Sequence, residues 1–188
     1  MKRYALMMLL LTAFVGSALY AQNTNPPASQ GGGQAAAPPT NPLSTEVKTA
    51  YTRFKTYFVK AAEKMPEEHY GFKPAAEVET FGQRVAHIAD ANIGACARLK
   101  GEQKTLNAKA KTSKADLVAA IKESFTYCDG VFDSMTDAEA LKMVAAGNQQ
   151  RSKIAGLWGV VVHTNEVYGA MGVYMRLKGI VPPSSEGR

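Results

Sequence analysis

The chain has 188 residues, of which 46% are hydrophobic and 20% charged, a length that fits one compact domain and excludes a multidomain enzyme. Its formal charge of +6 is a mild excess without a cluster of five basic residues, so nothing indicates a nucleic-acid-binding protein. With 16 glycines, 9 prolines and 2 cysteines, the composition also excludes collagen-like and disulfide-dense classes.

Residues 1–21 have the layout of a secretory signal peptide. Lys2 and Arg3 precede an apolar run, Tyr4–Val15, that is too short to span a bilayer, and small residues follow up to Ala21. We expect cleavage after Ala21, with Ala18 as the alternative; an uncleaved anchor or a buried helix is the other interpretation. Export predicts a secreted or periplasmic protein that has no membrane attachment after the signal is removed.

Residues 22–43 have the composition of a disordered linker rich in Pro, Gly and Ala. They carry no charge and no aromatic side chain, and they contain five of the nine prolines. A stretch so poor in large apolar groups cannot offset the entropy lost on ordering. We therefore predict that the folded domain covers residues 44–188.

Two amphipathic helices are predicted first. Apolar residues recur at three- and four-residue steps from Ser44 to Met65, and Pro66 is placed to end this helix. The second helix begins at Thr80, which forms a capping-box pattern with Gln83, and ends near residue 101 at a glycine.

Two further helices complete the pattern. The third begins at Ser113, and the fourth runs from about Ser152 to Lys178. Because residues 154–165 carry no formal charge, we expect the fourth helix to be the most buried. Four long helices without strand-like alternation predict an all-α four-helix bundle, and the long connections after residues 101 and 135 imply at least one crossover.

The two cysteines suggest the direction of the second and third helices. Cys96 lies 16 positions after Thr80, and Cys128 lies 15 after Ser113. Both are thus on the order of 23 Å from the starts of their helices. Level cysteines in an exported protein favour parallel helices joined by a Cys96–Cys128 disulfide. The alternative is two buried thiols that never meet.

Several segments agree in order and spacing with one family. They are MPEEHYGFKP at 65–74, TFGQRVAHIADAN at 80–92, HTNEVYG at 163–169 and YMRLKGIVPPSS at 174–185. Over about residues 45–185 the chain resembles the DinB family, in particular its exported bacterial members. The resemblance implies a bundle with up-down-down-up topology, parallel second and third helices, and dimerisation through helix faces in many relatives. It also implies nickel or zinc held by three histidines, and in characterised members a thiol transferase or isomerase activity.

Transferred position by position, the family's metal ligands match His87 on the second helix and His163 on the fourth. The second helix-four position is Val167, which has no donor atom, so the triad is broken. Glu166 is a weak substitute, because the family pattern gives that position no ligand role. His69 matches no ligand.

We consequently expect no tightly bound cofactor, although a divalent nickel or zinc ion remains possible. The hypothesis is an open groove lined by His87 and His163, with space left by Ala91, Gly94 and Ala170; the alternative is an exposed His87 and a hydrogen-bonded His163. The first functional interpretation is a binding or structural module for an unknown small molecule. The second is a metal-dependent hydrolase or thiol S-transferase that uses the same two histidines.

The predicted signal peptide gives a testable position for the N-terminus of the exported protein. The mature protein should begin at Gln22 or close to it, because cleavage after Ala21 follows the order of charged, apolar and small residues. N-terminal sequencing of protein from the periplasm or medium checks this. Recovery of intact Met1 from the cytoplasm would contradict it.

Overall fold

A computed structural model describes residues 40–187. The predicted signal peptide and the linker up to residue 39 lie outside these residues. The helices and strands, in chain order, are α1 Pro42–Lys64, α2 Phe81–Lys100, α3 Lys114–Asp133, α4 Asp137–Ala140, β1 Met143–Ala146, β2 Gln149–Ser152 and α5 Lys153–Leu177. Three-residue 3-10 helices lie at Glu67–His69, Ala108–Ala110 and Pro183–Ser185.

The ends of α2 and α3 follow the predicted local signals. Thr80 and Gln83 make both hydrogen bonds of the capping box at the start of α2. The hydroxyl of Ser113 accepts a hydrogen bond from the Asp116 amide at the start of α3. Gly101 ends α2 with φ +78, a conformation that favours glycine. These signals involve neighbours in the chain, so they were readable from sequence.

The start of α1 depends on a distant residue instead. It begins at Pro42, two residues before the predicted start, and its N-cap Asn41 makes no side-chain capping bond. The Asp137 carboxylate accepts hydrogen bonds from the amides of Leu43, at 3.1 Å, and Ser44, at 2.8 Å. Asn41 in return accepts one from the Asp137 amide at 2.9 Å. The first turn of α1 is thus capped by α4.

Helices α2 and α3 are parallel, as predicted. A Cβ atom on Gly82, near the start of α2, would lie 3.3 Å from Leu117 near the start of α3. Toward the other ends, Cys96 and Cys128 form a disulfide with Cα atoms 5.4 Å apart, within the usual range for such bonds. The two helices are therefore in register along most of their length.

Two other pairs of neighbouring helices, α1 with α3 and α2 with α5, are antiparallel. Lys48 at the start of α1 pairs with Asp133 at the end of α3, at 2.9 Å. Arg84 at the start of α2 hydrogen-bonds Tyr174 at the end of α5, at 3.0 Å. Combined with parallel α2 and α3, these contacts give the up-down-down-up topology. The all-α bundle predicted from sequence is confirmed as the architecture.

The core consists of apolar side chains from all four long helices. The largest fully buried ones are Phe58, Met65, Phe81, Ile88, Ile93, Ile121, Phe125, Phe132, Leu157, Met171 and Met175. Helix α5 was expected to be the most buried helix, but one of its faces is exposed to solvent. On that face Trp158 is 44% exposed and Val162 is 58% exposed. None of the helices within residues 40–187 has the length and apolarity needed to cross a membrane.

The connection between α3 and α5 contains a hairpin that the sequence analysis did not predict. Strands β1 and β2 pair antiparallel, with Met143 opposite Ser152 and Ala146 opposite Gln149. Gly147, with φ +62, occupies the first position of the two-residue turn, where glycine is favoured. Four-residue strands are too short for a clear alternation, so their period could not be recognised.

The disulfide should contribute a large share of the stability. It closes a loop with a sequence separation of 32, which corresponds to about 3 to 4 kcal/mol on the chain-entropy model. Urea unfolding of oxidised and of reduced wild-type protein measures this contribution. No buried cysteine is replaced, so the packing of the core is not altered by a substitution. We expect reduction to lower the free energy of unfolding by about that amount; equal stabilities, or two free thiols in native air-exposed protein, would contradict the pairing.

Candidate functional site

The antiparallel packing of α2 against α5 brings His87 and His163 into direct contact. Their Nε2 atoms lie 2.8 Å apart, and the ring centroids are 4.9 Å apart with planes inclined at 69°. This is hydrogen-bonding geometry, in which one Nε2 carries a proton and the other accepts it. One of the two Nε2 atoms must be unprotonated in order to accept the hydrogen bond. At most one of the two rings can therefore be an imidazolium.

A buried polar contact lies beside the imidazole pair. The Asn92 side-chain amide donates to the Thr164 hydroxyl at 3.1 Å, and both residues are at most 2% exposed. A buried amide without a partner would be destabilising, so this bond ties α2 to α5 at a defined register. Thr164 follows His163 directly in the chain, so the same register aligns the imidazoles.

The crossover between α2 and α3 packs along α2 near His87. The Asp90 carboxylate accepts hydrogen bonds from the amides of Ala108, at 2.8 Å, and Lys109, at 3.2 Å. Asp90 lies one helical turn after His87, so this anchor holds the positive charge of Lys109 near the imidazole. The crossover is therefore a structured part of the site.

The environment of His87 disfavours its protonated form. Partial burial lowers its pKa below the ordinary 6.5, and the positive charges of His163, Lys109 and Arg84 lower it further. The carboxylate of Glu79 acts in the opposite direction. His87 is consequently disposed to be neutral near pH 7, which leaves its ring able to donate or accept one hydrogen bond.

The donor set does not fit a resident three-ligand metal. Two nitrogens bound tetrahedrally at 2.0 to 2.1 Å would be roughly 3.3 Å apart, farther than the 2.8 Å found here. Val167, at the third ligand position, is only 6% exposed and packs in the core. A carboxylate oxygen of Glu166 lies 3.7 Å from Nδ1 of His163, on the side of the ring away from His87. Within residues 40–187 there is no group of three His, Cys, Asp or Glu side chains placed to hold an ion.

A groove of about 280 Å³ runs between α2, the hairpin and α5. Ala91 and His163 line it, as expected, whereas His87, Gly94 and Ala170 do not. Its lining residues are Ala91, Asn92, Ala95, Arg98, Leu99, Val144, Ala145, Ala146, Arg151, Ser152, Ala155, Gly156, Gly159, Val160 and His163. The sequence analysis missed Arg151 because its place depends on the unpredicted hairpin. Nothing in the sequence linked Arg98 to a groove.

The third histidine is not part of this arrangement. His69 ends the 3-10 helix Glu67–His69 in the connection between α1 and α2, outside the set that lines the groove. This agrees with the absence of a matching ligand position for it in the sequence pattern.

Comparisons with known proteins point to one group. The model of the DinB superfamily matches residues 50–167. A DinB-like protein from Bacillus cereus has a similar solved structure, with a TM-score of 0.65 at 18% identity over 74% of this chain and 95% of that one. A DinB-like protein from Bacillus subtilis gives 0.59 at 18% identity, over 71% and 92%. A comparison with curated proteins found no match.

A mycothiol-dependent maleylpyruvate isomerase is also similar in structure. Its TM-score is 0.59 at 13% identity, over 69% of this chain and 60% of the isomerase. The chain thus spans less than two thirds of the isomerase. At this identity the likeness concerns the fold alone.

The pKa of His87 should lie below 6.5 in the folded protein, because burial and three neighbouring positive groups disfavour its imidazolium. NMR titration of the imidazole resonances measures it. In the variant His163→Ala the pKa of His87 should rise, since one positive neighbour and part of the burial are removed. Because the folded-state pKa is the lower one, this group's contribution should destabilise the protein as pH falls through about 6.5. A His87 pKa above 6.5 in the wild type would contradict this description.

Proposed function

The chain belongs to the DinB superfamily, and on that basis we propose that it is an exported small-molecule-binding module whose polar site is the His87–His163 pair without a resident metal. The observation that carries the proposal is the direct contact between the two Nε2 atoms at 2.8 Å. Where the resemblance implies a third histidine, Val167 packs into the core and offers no donor. The two imidazoles therefore satisfy each other.

Such a pair offers a ligand both a hydrogen-bond donor and an acceptor. After one N–H···N bond forms between the rings, each neutral imidazole still has its Nδ1 side available. His163 lines the groove, so its ring is the member of the pair that a bound molecule would meet first. This chemistry suits recognition of a polar group on a small molecule.

Export is part of the same proposal. The order of charged, apolar and small residues in 1–21 supports it. A disulfide between Cys96 and Cys128 agrees with an oxidising compartment, where such bonds persist.

Metal analysis separates this module from a metal-dependent enzyme. Protein purified without chelators should contain far less than one equivalent of nickel or zinc, because two protein nitrogens leave half of a tetrahedral shell to water. The variant Val167→His supplies a third imidazole one helical turn after His163 and should retain more metal. Val167→Ala is the matched control for loss of the buried valine.

Stoichiometric metal in the wild type would contradict the proposal and favour the metal-dependent hydrolase or thiol S-transferase. This outcome is independent of whether Val167→His folds. A metal content unchanged by His87→Ala would show that any ion present is bound elsewhere.

A further inference from the structure

The groove that His163 lines is also lined by two positively charged side chains, Arg98 and Arg151. We propose that it binds a small organic anion, with the anionic group at Arg98 and Arg151 and an apolar body extending toward His163. This rests on the proposed function, because it assigns a ligand class to the same module.

The two arginines are available for a ligand. Both are exposed, line the groove and make no ion pair with any residue in 40–187. Nearby lysines differ in this respect, since Lys153 pairs with Glu139 and Lys100 pairs with Glu102. No acidic side chain from the described part of the chain lines the groove, so the positive charge there is not balanced internally.

Arg151 lies at the N-terminal end of α5, and Arg98 lies on α2, with one guanidinium nitrogen 3.6 Å from a Cβ placed on Gly94. Arg151 immediately precedes Ser152, the N-cap of α5, and the N-terminus of a 25-residue helix adds a partial positive charge. Arg98 is next to Leu99, which packs against Gly156 in the first turns of α5. A guanidinium matches carboxylate and phosphate oxygens with paired donors. Two guanidinium groups in the lining therefore suit an anionic group of either kind.

The remainder of the groove is apolar and small. Its walls consist largely of alanines together with Leu99, Val144 and Val160. A volume of about 280 Å³ is just below the range of pockets for drug-sized ligands, so it suits a molecule of roughly ten non-hydrogen atoms. His163 is seven residues beyond Gly156, or about 10 Å along the helix. The apolar part of the ligand would extend along this face of α5 toward the imidazole.

Three probes of similar size distinguish the ligand class. Phenylacetate and phenyl phosphate present the two kinds of anion on the same ring, and phenylacetamide is a neutral analogue of the first. NMR titration of the full mature protein, treated with EDTA, gives each dissociation constant. We expect at least one anion to bind about tenfold or more tightly than the amide, with shifts at groove residues. The tighter anion identifies the headgroup. Equal binding of the amide, or no binding by either anion, overturns the proposal.

Matched variants locate the binding. Arg98→Gln and Arg151→Gln should each weaken anion binding about five- to tenfold, while Arg176→Gln, an exposed arginine at the other end of α5, should not. Gly159→Leu should obstruct the groove, because Gly159 is part of its lining and a Cβ there meets nothing within 4 Å, so a leucine side chain has room to occupy the ligand's space. Gly169→Leu is its control, an equally open glycine outside the groove. Wild-type affinity in both arginine variants, or in Gly159→Leu, contradicts the assignment.

The two proposals can fail separately. If the protein holds stoichiometric metal but the EDTA-treated form still binds anions through Arg98 and Arg151, the metal-free module is wrong and the anion groove stands. If the protein is free of metal but the anions bind no better than the amide, the groove assignment alone is wrong.

Discussion

The antiparallel contact between α2 and α5 determines where the polar groups of the site lie. The helices approach so closely at Gly156 that a Cβ atom there would come within 2.6 Å of Leu99 Cδ2, which only a movement of that side chain would relieve. Farther along the same interface, the buried Asn92–Thr164 hydrogen bond fixes the register. A shift of α5 by one turn along its axis would separate the two imidazoles.

Helix α2 is held from its other side as well. The disulfide joins it to α3, and Asp90 anchors the crossover to it. A helix constrained on both sides can present His87 in one orientation, which a 2.8 Å contact with His163 requires. The disulfide thus stabilises the bundle and also supports the site, although it lies in the core away from the groove.

Much of this architecture was predictable because its signals are local. The starts of α2 and α3 are signalled by their N-cap residues Thr80 and Ser113. The parallel direction of the two helices was predicted from the similar distances of the two cysteines from those starts. The resemblance to a known family singled out His87 and His163. The cap that Asp137 provides for α1 could not be predicted, because it joins residues 93 positions apart.

The positive charge of the groove could not be predicted from the sequence for a similar reason. Arg98 and Arg151 are distant in the chain and line the same groove only in the folded protein. The position of Arg151 is set by a hairpin whose strands have only four residues each. The absence of charge in residues 154–165 predicted that α5 would be the most buried helix. Trp158 and Val162 are nevertheless exposed, because composition does not specify which faces of a helix meet a neighbour. Tertiary packing decided these features.

Two imidazoles are hydrogen-bonded to each other at positions where the family resemblance implies a metal. Nitrogen-15 NMR of the His87 and His163 rings tests it most directly, because a scalar coupling between the two Nε2 nuclei arises only across a hydrogen bond. We expect this coupling, with one Nε2 protonated, in protein measured before and after EDTA treatment. Absence of the coupling, with both Nε2 resonances shifting when the chelator removes an ion, would contradict it.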